Sequence, residues 1–111
     1  MRTVTKRHLS VQDGKARFAQ VTVAELTPEE EAKRPPMPEL FLNDFRINRL
    51  TQKDEALINS AVRAVQETEK SLGWSGSPLC VTRVESSYVD RDPEAAQIAA
   101  TSAATALITE Q

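Results

Sequence analysis

The sequence predicts an α+β domain. Its expected form is a two-layer sandwich, a four-stranded, mostly antiparallel sheet with two helices on one face, in the order β-β-β-α-β-α. Three observations predict it. Asp13-Gly14 separates two runs of strand-forming residues, residues 51–73 carry an apolar stripe at helical spacing, and Asp92-Pro93 opens an alanine-rich run. At 111 residues the chain fits one domain, 1–111, with a single core.

The first strand is "RTVTKRHLSV", where Val4, Thr5, Leu9 and Val11 favour extended backbone. Asp-Gly suits a tight hairpin because both turn positions take positive φ. "ARFAQVTVAEL" is the returning strand, with Ala19, Val21 and Val23 on one face. Phe18 falls on the other face, which asks for a bulge or for cover on both sides of the sheet. Thr27, Pro28 and Glu30 read as the cap and first turn of a short helix. The prolines within 35–38 then stop regular structure, so a Pro-rich surface loop is expected over about 27–39.

"LFLNDFRINRL" alternates as a third strand, with Phe41, Phe45 and Ile47 on one face, and the aromatic pair is expected in the core. Thr51 and Asp54 form a capping pair for a helix whose stripe is Leu57, Ile58, Ala61, Val62, Val65 and Leu72. Gly73 suits the residue just past its end. "LCVTRVESSYV" is the fourth strand, and Asp92-Pro93 caps and opens the second helix, "PEAAQIAATSAATALITE".

Formal net charge is −2, with 27% charged and 40% hydrophobic residues, which argues against a general nucleic-acid binder and against disorder. Charge is uneven: residues 1–50 hold nine Lys/Arg against seven Asp/Glu, residues 51–111 five against nine. No apolar run approaches a membrane span, and the N-terminus lacks the apolar core of a secretion signal. A cytoplasmic location without membrane association is expected. The single cysteine excludes an internal disulfide.

No constellation supports catalysis, so no enzyme, cofactor or metal site is expected. His8 is expected at the surface or on an edge strand, and Cys80 as a buried, inert thiol in an alternating strand. Acids in "DRDPE" are better explained by the helix start than by a metal.

The run "INSAVRAVQETEKSLGWSGSPL", through Val65, Gln66, Glu67, Lys70, Gly76 and Pro78, resembles the first helix and handover turn of domain IV of elongation factor G. "SSYVDRDPEAAQIAATSA", through Ser87, Tyr88, Asp92 and "IAAT", is similar to that family's loop and alanine-rich second helix. "ARFAQVTVAEL" and "FRINRL" resemble two of its strands. The paired glycines expected before the first helix are replaced around "NRLTQ", and the loop histidine is Val89.

The resemblance implies a fold shared with the second domain of ribosomal protein S5 and a non-catalytic role near the ribosome. The chain has no Gly-x-x-x-x-Gly-Lys-Ser/Thr loop for GTP hydrolysis. Expected partners are the ribosome, ribosomal RNA or a translation factor. The candidate contact residues are Arg46, Arg49, Ser86, Ser87, Tyr88, Asp90 and Arg91, the arginines meeting phosphate. In the same reading "GWSGSP" is a structural corner and Trp74 caps the core. The alternative is a protein–protein interaction module that keeps only the fold, using a sheet edge or the acidic second half for docking or self-association.

Overall fold

A long hairpin dominates one side of the sheet in the computed structural model, which describes residues 2–33, 37–87 and 91–110. Strands β1 (Arg2–Gln12) and β2 (Lys15–Glu25) pair antiparallel along their whole length. Asp13 and Gly14 turn the chain with φ of 52° and 77°, the left-handed pair a two-residue hairpin requires. Helix α1 (Pro28–Lys33) follows. Its first turn is fixed reciprocally, Glu30 N–H donating to Thr27 Oγ1 and Thr27 N–H to Glu30 Oε1. Of the loop expected over 27–39, residues 28–33 form α1, the expected breakers Pro35 and Pro36 lie outside the described residues, and β3 (Glu39–Leu42) begins at its end.

The expected third strand is two strands. Asn43 and Asp44 both adopt positive φ, 51° and 69°, and fold the chain back so that β4 (Phe45–Arg46) pairs antiparallel with β3. Asn and Asp tolerate this region better than other non-glycine residues. Helix α2 (Gln52–Ser71) then crosses to β5 (Leu79–Ser86), and α3 (Pro93–Thr109) closes the fold.

The sheet has five strands in the order β1-β2-β5-β3-β4. β5 inserts between the two hairpins, antiparallel to β2 and parallel to β3, so the sheet is mixed. The expectation of four strands and two helices is corrected to five and three among the described residues; the α+β character stands.

One face of the sheet carries α2 and α3. Ala19, Val21 and Val23 from β2, Leu40 and Leu42 from β3, and Leu79, Val81 and Val84 from β5 pack there. They meet Leu57, Ile58, Ala61 and Val65 of α2 and the alanine row of α3, with Leu107. The register of β2 against β5 shifts between Thr22 and Val23, opposite Thr82. This bulge lets Leu79 and Val81 share the core face with Val84 and Ser86, two positions of opposite parity. Leu72, expected on the α2 stripe, is exposed instead, because it lies past the last residue of the helix.

Trp74 packs against the core, and its indole N–H donates to Ser77 O at 2.7 Å. Gly73 sits at φ 65° just past α2, and Gly76 leaves room for the indole ring to lie across it. The "GWSGSP" stretch is thus a folded corner between helix and strand.

Candidate interaction surface

The end of the sheet where β3 and β5 finish carries the Asp13-Gly14 and Asn43-Asp44 turns and the start of α2. Asn43 N–H donates to Ser86 O at 3.2 Å, and Ser86 Oγ–H donates to Phe18 O at 3.0 Å, tying the β3–β4 turn, β5 and β2 together. Arg91 reaches the start of α2 and pairs with Asp54 Oδ1 at 2.5 Å. Asp54 is 1% exposed and also closes the capping box, accepting from Thr51 N–H at 2.9 Å. Beside it, Asp92 caps α3 by accepting from Ala95 N–H at 3.0 Å.

Arg17 of β2 completes this end, donating from Nε to Asp92 at 2.6 Å and from Nη2 to Glu94 at 2.8 Å. The Arg17 hydrogen bond holds the Asp92 carboxyl below the ordinary aspartate range against the opposing effect of burial, and the Ala95 N–H adds to it. The same two carboxylates raise the Arg17 pKa.

Two expected contact residues are consumed by these networks. Ser86 is fully buried with its hydroxyl on Phe18 O, and Arg91 neutralises a buried carboxylate. Both build this end from within, and neither offers a surface group. Ser87 is half-buried next to them. Tyr88 and Asp90 lie outside the described residues. Arg46 and Arg49 are exposed, and the Arg46 guanidinium lies 3.8 Å from Glu39 of β3, a loose pair at the surface.

The helix-free face of the sheet carries what the sequence reading missed. Phe41 was expected in the core, yet Leu40 and Leu42 take the core face and Phe41 turns outward. Phe45 stands opposite Leu42 in the β3–β4 ladder, hence on the helix side of the sheet rather than the helix-free one, and is 73% exposed there. Phe18 also turns away from the helices, so none of the three phenylalanines belongs to the core cluster. The guanidinium of Arg83 stacks 3.8 Å above the Phe41 ring, and that of Arg7 lies 5.5 Å from the Phe18 centroid.

Strand register sets Arg7, Gln20, Glu85, Phe41 and Arg46 side by side in one row across all five strands of this face. Burial, and then the neighbouring Asp44 carboxyl, hold Glu85 above the ordinary glutamate range, opposed by Arg83 and Arg7. Alternating period cannot say which face of a strand is the core face. Here the Asn43-Asp44 turn sets Phe45 opposite Leu42, so the two aromatics that alternation puts on one face fall on opposite faces.

His8 stands opposite Ala19 on β1 and Cys80 opposite Ala24 on β5, so the chain's imidazole and thiol sit at different places along β2 and do not meet. Among the described residues no group of three or more His, Cys, Asp or Glu could hold a metal ion, and no helix is long and apolar enough to cross a membrane. No family model matches the chain, and neither curated proteins nor solved structures give a match.

Proposed function

We propose that the chain is a non-catalytic binding domain that docks on the ribosome or another translation component, with RNA as the contact. Its working surface is the Arg46/Arg49 end of the sheet with the adjoining helix-free face. The observation that carries the reading is the placing of the aromatics. A chain with so few of them leaves all three phenylalanines out of its core and sets two under arginine guanidinium groups. Rings and guanidinium planes on an open sheet suit unstacked bases, and exposed arginines suit phosphate. The resemblance to domain IV of elongation factor G supplies the partner class.

Within this reading Arg46 and Arg49 make phosphate contacts, Phe45 offers a face for stacking, and Ser86 and Arg91 hold the end in shape. The test is co-sedimentation with ribosomes of the producing cell at low and near-physiological salt. Binding should survive physiological salt and be lost in Arg46→Glu/Arg49→Glu. Binding confined to low salt is generic counterion release. Absence of binding at either salt, or binding unchanged in the double variant, refutes the proposal.

A further inference from the structure

We infer that two copies of this chain associate through their β1 edges, paired antiparallel over the outer half of the hairpin, a contact that involves Arg7 and Phe18 of the helix-free face but neither Arg46 nor Arg49. β1 is the edge of the sheet, on the side opposite β4 and Arg46. Past the last β2–β5 pair, Ala19 with Ser86, the hairpin continues for four more pairs, from Leu9–Phe18 to Gln12–Lys15. At about 3.3 Å per residue that is an arm of roughly 13 Å.

The two-residue turn makes Gln12 and Lys15 a hydrogen-bonded pair, so alternate residues from Gln12 backwards bond to β2. The main-chain N–H and C=O of Thr3, Thr5, Arg7, Leu9 and Val11 therefore point to the free edge. Side chains of these residues lie on the helix-free face. Leu9 is 59% and Val11 70% exposed, two large aliphatic side chains on one unpaired edge. Such an edge is a template for another strand.

A second copy satisfies it in one register. With the two-fold axis at Ser10, Leu9 stands opposite the partner's Val11, and Val11 opposite the partner's Leu9. Arg7 then meets the partner's Asp13, an opposite charge. On the helix-free face Phe18, Leu9, the partner's Val11 and the partner's Ala16 form one apolar row across four strands, repeated by symmetry. Arg2 and Lys6 occupy the inner half of β1, where cations on an edge oppose pairing, and β1 ends at Gln12, so the shared ladder runs from residue 8 to residue 12 with Arg7 and Asp13 at its ends. A five-residue ladder buries less than a standard interface, so the dimer exchanges, with a dissociation constant on the order of tens of micromolar.

The test is sedimentation equilibrium of the whole chain over a range bracketing that constant, from about 5 to about 500 µM. A reversible monomer–dimer equilibrium is expected, and Leu9→Lys/Val11→Lys should remain monomeric throughout with an unchanged circular dichroism spectrum. The register has its own readout. Ser10 on the axis falls in a non-hydrogen-bonded pair with Cα atoms about 4.5 Å apart, within reach of a disulfide. In a Cys80→Ser background, Ser10→Cys should oxidise to a covalent dimer faster than His8→Cys. A monomer at every concentration overturns the proposal, as does a dimer indifferent to the lysine pair or one in which His8→Cys cross-links first. Because Arg46 sits on β4, the edge opposite β1, the arginine variants and the Leu9/Val11 variants report ribosome binding and the dimer as separate results.

Discussion

Removing Arg91 should unfold the domain far more readily than removing any of the exposed arginines. The Asp54 carboxylate is 1% exposed, and Arg91, 21% exposed, is its counter-ion. Breaking a buried pair from one side costs roughly 3–5 kcal/mol, because the remaining charge stays buried without compensation. Asp54 keeps one hydrogen bond, from Thr51 N–H, which places Arg91→Ala at the low end, about 3 kcal/mol. With an unfolding entropy of about 2.1 cal/mol/K per residue, a chain of 111 residues should lose about 13 °C in melting temperature. Urea unfolding followed through the fluorescence of Trp74 measures the change directly. Arg49→Ala is the control and should stay within about 0.5 kcal/mol of the parent. The double variant Asp54→Ala/Arg91→Ala should be less destabilised than the sum of the single ones, since it leaves no orphaned charge. An Arg91→Ala protein as stable as the parent would refute the reasoning and return Arg91 to the surface.

Two further outcomes test the corner and the row of side chains on the helix-free face. In Gly76→Ala the new methyl would overlap the indole of Trp74, so the ring must move off Ser77 O; a loss of about 1–3 kcal/mol and a shifted emission maximum are expected, and an unaltered spectrum and stability would contradict the packing. Glu85 has its pKa raised in the folded state, so its contribution is fully present below the unfolded value, about 4.3, and is lost as pH rises through the folded one. Glu85→Gln should therefore stabilise by about 0.2–1 kcal/mol at pH 7, as expected for removing a like-charge neighbour of Asp44. The gain should vanish below the unfolded value, and a pH-independent difference in urea midpoint would count against it.

What the sequence made legible was the local punctuation. Asp13-Gly14, Thr51 with Asp54, Gly73, and Asp92-Pro93 each carry their conformational preference in their own side chains, and each marks a boundary in the structure. Asn43-Asp44 carries the same kind of signal, but the regular alternation around it reads as one strand when it is two. The outward turn of Phe41 was hidden for a different reason. A period of two assigns residues to faces without saying which face is covered, and the aromatic set was as apolar as the leucine set. Ser86 and Arg91 look like loop surface in a linear reading because their partners, Phe18 and Asp54, lie far away along the chain. Among the described contact residues Arg46 and Arg49 are exposed, on a run whose Ile47 and Leu50 pack against the core.

The position of β5 has a consequence for how the chain comes into being on the ribosome. Synthesis delivers both hairpins before it delivers the strand that joins them. At elongation rates of about 5–20 residues per second, β2 is out for several seconds before residues 79–86 follow it. During that interval Val21 and Val23 on one hairpin, and Leu40 and Leu42 on the other, have no strand between them to share a layer with. Assembly is therefore a late event governed by non-local pairing, the slow kind of folding step. A nascent chain stalled before β5 holds two sticky half-sheets, and its fate rests on chaperone cover until the last third of the chain arrives.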